Sequence, residues 1–443
     1  MTFSLYDFQR ELVEQVQERF AAGTRAVLLQ SPTGSGKTRT ASELLRRETA
    51  AGQRSLFLAH LDTLIEDTFE RVTAAGVHAG FVQAGRPLDP GAPVQVGSLA
   101  TLHVRGERPP ADFVVVDEAH RAGASTVRAI LEAYPEARML GLSATPQRSD
   151  GRPLNVFQEF IAGPAITWLT ERGYLVPCDL LSPGEYQERG LWRDPVEFYL
   201  EEARGQRALV FAANIAHAVF LRERFANAGV RAACLTGTTP RAARHDIRDR
   251  MYAGDLNVII GVSVFLEGWD LPAAEVAILA RPFESCMAYL QAIGRVLRVS
   301  PATGKKSCLV GDLKGCVNIH GLPDELRIWL PFGEGDAVRR VDVQTQLRRC
   351  EKCFRVFRPS AHCPRCGAPA KHAPKLPLIL NKAEKMELYS RFDRAERDMR
   401  YFMQLVRIAH RNMRVSQTGA ERWALAQFQK RWGRLPEVHR AGE

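Results

Sequence analysis

Two α/β lobes in tandem, each a parallel sheet covered by helices, are what the sequence predicts, followed by a small four-cysteine knuckle and a helical C-terminal region. Three observations predict this. Short apolar runs alternate with stretches of helical length, the signature of βαβ units rather than of hairpins. The runs form two series, divided by SPGEYQERGLWRDPVEFYLEEARGQ (182–206), which is rich in charge, Gly and Pro. A chain of 443 residues is also too long for one hydrophobic core and suggests about two to four domains.

In order along the chain, AVLLQ (26–30), SLFLAH (55–60), FVVVD (113–117) and MLGLSA (139–144) read as buried strands of a first lobe, residues 1–165. Residues 166–206 read as a connecting segment. The second lobe, 207–338, carries ALVFAA (208–213), RAACL (231–235), NVIIGV (257–262), VAILA (276–280) and SCLVGDL (307–313). A cysteine-rich patch fills 339–373. Over 374–443 the residues Met386, Tyr389, Phe392, Met399, Phe402, Val406, Ala409 and Met413 recur at helical intervals and form one apolar stripe. Asn381 can cap that helix, and a second helix over 419–432 stops at Gly433 with Pro436 beyond.

Composition narrows the function classes. With 45% apolar and 25% charged residues the chain reads as soluble and globular. No apolar run reaches the length of a membrane span. The opening MTFSLYDFQR lacks the basic start and apolar core of a signal peptide, so a cytoplasmic, nucleoid-associated protein is expected. Charge is uneven: residues 339–443 hold 24 Lys/Arg against 10 Asp/Glu, whereas the first 338 hold 36 against 40. A nearly neutral body with a basic tail points to a polyanion, most simply nucleic acid, the alternative being a solvated helix face.

SPTGSGKT (31–38) lies between a predicted strand and a predicted helix, the context of a phosphate-binding loop. Thr33, Gly34, Ser35 and Gly36 turn backbone N–H groups toward phosphate oxygens. Lys37 neutralises the outer phosphates and Thr38 holds Mg²⁺. Ser31 stands where Gly is usual. About 80 residues on, FVVVDEAH (113–120) delivers Asp117 and Glu118 at the carboxyl end of a buried strand, the edge where open α/β sheets bind ligands. Asp117 suits the metal, and Glu118 suits the task of orienting and deprotonating an attacking water.

CEKCFRVFRPSAHCPRCG contributes Cys350, Cys353, Cys363 and Cys366, two CxxC pairs nine residues apart. Four thiolates close a tetrahedral shell at about 2.3 Å from zinc, leaving no open position, so a structural ion is expected rather than redox chemistry. His362 and His372 are spare donors. Arg349, Lys352, Arg355, Arg358 and Arg365 are expected to present charge to nucleic acid. Phe354 and Phe357 either stack bases or pack within the knuckle. The remaining cysteines, Cys178, Cys234, Cys286, Cys308 and Cys316, read as small buried hydrophobes.

SPTGSGKT, DEAH, LSAT (142–145) and QAIGRVLR (291–298), in this order over about residues 3–315, resemble the nucleic-acid-dependent ATPases of helicase superfamily 2. The resemblance implies two RecA-like lobes that sandwich one ATP while nucleic acid lies across both. It implies that Gln9 reads adenine, and that His120, Ser143 and Thr145 couple hydrolysis to lobe movement. In GVSVFLEGWDLP it places Gly268 and Asp270 near the ribose and the opposing arginines. Gln291, Arg295 and Arg298 match the sixth motif, with Arg298 as the arginine finger and Arg295 assisting. Strand contacts would come from His60, Ser98, Thr101, Asn214, Thr236 and Gly237, residue types that also serve as caps and turns. ERGYLVP (171–177), the knuckle and FQKRWGRLP (428–436) narrow the resemblance to bacterial RadD-type DNA repair helicases and similar phage-borne proteins.

Departures from the family pattern are Tyr6 where an arginine is frequent, Leu61 in place of an arginine and Ser263 in place of Thr. The implied activity is a DNA-stimulated ATPase that translocates on and unwinds, or remodels without unwinding, single-stranded, forked or branched DNA, acting as a monomer. The alternative from another class is a motor subunit or adaptor that recruits a partner such as a single-strand-binding protein or a nuclease. ATP, Mg²⁺ and structural Zn²⁺ are the implied cofactors.

Overall fold

The computed structural model describes residues 4–376 except 61, 84, 100, 103–107, 122–123, 149–151, 266–270, 330, 333–337, 341–346 and 371–372; beyond 376 it describes Ala424 and Ala426. Met1–Leu378 form one compact unit and Ile379–Glu443 a second. The two helices expected over 386–413 and 419–432 lie outside the described residues apart from those two positions, as do Leu61, Gly268, Asp270 and His372. Among the described residues no helix is long and apolar enough to cross a membrane.

In the first lobe, helix α1 (Asp7–Ala21) turns Phe8, Leu12, Val13, Val16 and Phe20 inward. Strand β1 (Ala26–Gln30) leads to α2 (Lys37–Ala50), then β2 (Ser55–Ala59), α3 (Asp62–Ala74), β3 (Ala79–Val82), β4 (Val94–Ser98), β5 (Phe113–Val116), α4 (Ala124–Ala133), β6 (Arg138–Ser143) and β7 (Glu159–Ala162). The seven strands lie in the order β3-β4-β2-β5-β6-β1-β7, all pairs parallel. β1, β2 and β5 are buried throughout. Helices on both faces explain why these strands read as continuous apolar runs rather than alternating ones.

Helix α5 (Ile166–Glu171) is followed by β8 (Cys178–Leu181), α6 (Pro195–Glu202), β9 (Ala208–Phe211), α7 (Ile215–Asn227), β10 (Ala232–Leu235), α8 (Arg241–Ala253), β11 (Val258–Gly261), β12 (Val276–Leu279), α9 (Cys286–Gly294), β13 (Cys308–Asp312) and α10 (Val317–His320). The second sheet runs β10-β11-β9-β12-β13-β8, again parallel. Residues 166–206 are therefore more than a connector. β8 pairs with β13, so this segment supplies the outer strand of the second sheet. Its residues CDLL are short and half polar, which hid the strand in a charged neighbourhood.

Two small antiparallel ladders follow, β14 (Arg327–Trp329) with β15 (Val338–Arg340) and β16 (Arg348–Arg349) with β17 (Val356–Phe357). The second ladder carries the cysteine knuckle. Of the five other cysteines Cys308 and Cys316 are buried, but Cys178, Cys234 and Cys286 are only half-buried.

Candidate active site

Between β1 and α2 the chain makes a loop that only glycine accommodates at two points: Gly34 has φ +91° and Gly36 φ +87°. Ser35 Oγ donates to the Pro32 carbonyl at 2.6 Å and lies 2.6 Å from Ser31 Oγ, so the unusual Ser31 braces the loop. Gln9 is fully buried. Its Nε2 donates to the Ser35 carbonyl at 2.8 Å, and its Oε1 accepts the Tyr6 N–H at 3.1 Å. The amide that the resemblance assigns to adenine is here engaged in holding the phosphate loop. Thr33, Lys37 and Thr38 are half-buried.

Asp117 and Glu118 follow β5, with Glu118 in the left-handed region at φ 47°, a conformation that costs a non-glycine residue about 1 kcal/mol or more. The turn is held by Asp117 Oδ1 accepting the Glu118 N–H at 2.9 Å. Burial, then the Glu118 charge, pushes the Asp117 carboxyl up to about 6 against the pull of Lys37. Burial also acts to raise Glu118, but Lys37, His120, Arg295 and Arg121 outweigh it and hold this carboxyl below its ordinary value. The two neighbours are thus set apart, one poised to gain from an added cation and the other firmly ionised. His120 Nδ1 lies 2.8 Å from Ser143 Oγ, which also accepts the Thr145 N–H at 3.1 Å. Glu118, His120, Ser143 and Thr145 so form one continuous polar path.

The sixth motif sits directly against the phosphate loop. Helix α9 is capped by Ser285, whose Oγ accepts the Ala288 N–H at 3.2 Å, and its last residue is Gly294. A Cβ on Gly294 would come within 2.4 Å of Thr33 Cβ. A Cβ on Gly34 would lie 3.2 Å from both Arg298 Cγ and Leu175 Cδ2. Leu175 bridges Arg298 antiparallel, and Val176 N–H donates to the Leu297 carbonyl at 2.9 Å. Arg295 is among the cations that lower Glu118, and the stem of Arg298 covers the loop. Gly294 and Leu175 were not singled out from sequence. The glycine inside QAIGRVLR was the available signal.

Polar atoms wait in this cleft. Gln291 is 1% exposed, yet neither its Oε1 nor its Nε2 has a hydrogen-bond partner among the described residues; Thr145 Oγ1 is likewise buried without one, and Glu118 Oε2 has His120 Nδ1 at 3.4 Å as an ion-pair contact. Each such group costs about 1–3 kcal/mol unless a ligand or water satisfies it. A nucleoside triphosphate and its attacking water would supply the missing partners. Magnesium fits the same place, since hydroxyl and carboxylate oxygens are its donors and Asp117 gains from a cation.

The expected strand contacts are scattered along the carboxyl edges of both sheets. His60 follows β2 and lies near enough to Asp117 to act on its charge. Ser98 ends β4 and Thr101 lies just beyond it. In the second lobe Asn214 caps α7, accepting the His217 N–H at 2.8 Å, and Thr236 Oγ1 lies 3.0 Å from Thr238 Oγ1. Gly237 lends its carbonyl to Arg244 at 2.9 Å. Those polar groups serve the local cap and turn.

At the knuckle, Cys350 and Cys366 Sγ are 3.6 Å apart, as are Cys353 and Cys363, and all four sulfurs lie within 4.8 Å of one another. A tetrahedron of thiolates about 2.3 Å from zinc has edges of about 3.8 Å, so the set fits the ion. Part of the surrounding charge is paired within the protein, while Lys352 and Arg358 remain exposed. Arg355 meets Asp179, Arg358 meets Asp324 and Arg365 meets Glu202, while Arg349 lies over the Phe354 ring. Phe357 is buried and Phe354 packs edge-on to Trp192 at 5.0 Å, so both rings serve packing.

Known proteins carry the same parts. Residues 2–148 match the family described as "Type III restriction enzyme, res subunit", and residues 193–300 match "Helicase conserved C-terminal domain". A "51.5 kDa protein" of Lactococcus phage (isolate 7-9) is 27% identical over 84% of this chain and 82% of its own. Among solved structures, the ATP-dependent Type ISP restriction-modification enzyme LlaBIII bound to DNA shows a TM-score of 0.55 at 16% identity, covering 70% of this chain and 27% of that one. Mycobacterium smegmatis helicase Lhr bound to ssDNA and AMP-PNP gives 0.50 at 18%, covering 71% and 49%. The structural likeness establishes two RecA-like lobes, and the matched domains are those of a superfamily 2 helicase. The chain is an ATP-hydrolysing enzyme.

Proposed function

We propose that the protein is a DNA-dependent ATPase that translocates on DNA and unwinds or remodels it during repair or recombination, in the manner of RadD-type helicases. The observation that carries this is the contact between lobes: Gly294 against Thr33, and Arg298 with Leu175 against Gly34. A phosphate loop with an arginine of a second lobe laid on it suits a hydrolytic centre that opens and closes. LlaBIII and Lhr, whose structures hold DNA, support the choice of polyanion, as does the basic tail.

In this reading the backbone of residues 33–36 and Lys37 bind the triphosphate, while Thr38 and Asp117 hold magnesium. That ion, when bound, neutralises charge on the phosphate oxygens. Glu118, ionised at neutral pH, takes the proton of the attacking water, which Gln291 helps to hold. Arg295 and Arg298 stabilise the transferring phosphoryl group. His120, Ser143 and Thr145 pass the state of Glu118 to the lobe boundary. Zinc fixes the knuckle through its four cysteines.

Steady-state ATPase with single-stranded DNA, duplex, forked DNA and RNA compared side by side tests the proposal. Stimulation by about tenfold or more is expected with single-stranded or forked DNA, and equal rates with and without every nucleic acid would refute it. A second test addresses closure. Gly294→Ala puts a methyl where Thr33 already stands, without harming the helix it ends. A lobe displaced by about 1 Å should lose about 10²-fold in kcat, measured beside an unchanged melting temperature.

A further inference from the structure

We propose that the four-cysteine knuckle is a clamp on β8 that holds Arg298 against the phosphate loop, with Asp179 as the positioning residue through which the clamp acts. The inference rests on the reading of Arg298 as a nucleotide contact. It starts from where the knuckle's arginines point. Arg355 meets Asp179 at 2.8 Å, and Arg365 reaches Asp179 at 3.7 Å and Glu202 at 2.9 Å. All of these carboxylates belong to the second lobe. The backbone follows the same line: the Phe354 carbonyl accepts the Ser182 N–H at 3.2 Å, and Arg355 bridges to Leu181. Phe354 does so from the left-handed region, at φ 61°, with its ring set against Trp192. A strained residue is therefore held where it reaches the end of β8.

β8 closes the second sheet on one side, and the knuckle covers the strand edge that would otherwise be open. A few residues upstream the same extended run meets the nucleotide machinery, through Val176 N–H to the Leu297 carbonyl and through the Leu175–Arg298 bridge. Four residue steps separate Leu175 from Asp179, about 13 Å at ~3.3 Å per residue of extended chain. Register with β13, from Cys178 opposite Cys308 to Leu181 opposite Gly311, keeps this run stiff. Fixing its far end at Asp179 fixes its near end beside Arg298. The ion pairs suit that task, because their side chains are only 18–33% exposed and so poorly screened. If the knuckle's charge served nucleic acid instead, Arg355 and Arg365 would face solvent.

The test is Asp179→Asn/Glu202→Gln in the full chain. Zinc is released and counted with a chromophoric chelator, amide hydrogen exchange is followed over 174–182 and 295–299, and ATPase is measured at saturating DNA. Zinc should stay at the wild-type stoichiometry, exchange at Val176 should quicken about tenfold, and kcat should fall about tenfold with KM for ATP moving less than about twofold. Asp179→Glu, which keeps the charge, should retain exchange protection. Unchanged exchange with weakened DNA binding would overturn the clamp and make the knuckle a DNA contact. Quickened exchange with unchanged kcat would overturn its link to Arg298. If the wild type itself shows no ATP turnover, the nucleotide reading fails, and the exchange arm still decides whether the clamp exists.

Discussion

Lys37→Ala is expected to abolish ATP turnover, a loss of about 10³-fold or more, while the fold and nucleic-acid binding persist. The side chain acts twice. It stands in the first turn of α2 behind the phosphate loop, and it is the leading cation holding Glu118 ionised and opposing the rise of Asp117. Its removal leaves a buried acidic pair with less positive charge, so Asp117 rises above about 6 and binds magnesium less readily at neutral pH. Helix α2 does not suffer, because alanine is the better helix former at its first position. Steady-state turnover beside thermal melting checks both halves. Normal turnover would remove the phosphate-loop assignment, and a lowered melting temperature would show that Lys37 also holds the fold.

Much of this centre was legible because its chemistry constrains sequence locally. A phosphate loop needs glycines at fixed offsets from a lysine, and FVVVD announces a strand buried on both faces whose end must carry the acids. All nine strands read as apolar runs occur in the two sheets. The strands missed were β3, β4, β7 and β8, whose residues AGFV, VQVGS, EFIA and CDLL mix small or polar side chains with apolar ones. Outer strands have one neighbour and tolerate such residues, so periodicity fades there; β4, paired on both sides, was masked by Gln95 and Gly97. Long-range pairings were wholly illegible. Nothing in RVFR or CPRC says that Arg355 and Arg365 will meet Asp179 and Glu202, more than 150 residues earlier. Gln9 shows the same limit, since its spacing is the family's but its buried partners, Ser35 and Tyr6, come from the fold.

The two arginines of the sixth motif should separate by pH. Arg298→Ala is expected to lower kcat by about 10³-fold, the low end of what an arginine finger supplies, with KM for ATP changed by less than about threefold. Its stem also packs on Gly34, so Arg298→Met, which keeps the packing and removes the charge, should be nearly as slow. Arg295 acts differently because it is one of the cations that offset burial and keep Glu118 low. Without it the Glu118 carboxyl rises. A base must be ionised to accept the water's proton, so a higher value means that activity is lost at a higher pH as acid is added. The acid limb of the kcat profile should therefore move upward in Arg295→Ala and stay in place in Arg298→Ala, where the whole plateau drops. If both variants leave the acid limb fixed, Arg295 does not act through Glu118. If Arg298→Met retains wild-type kcat, the stem against Gly34 is what matters, and the finger must be sought at Arg295.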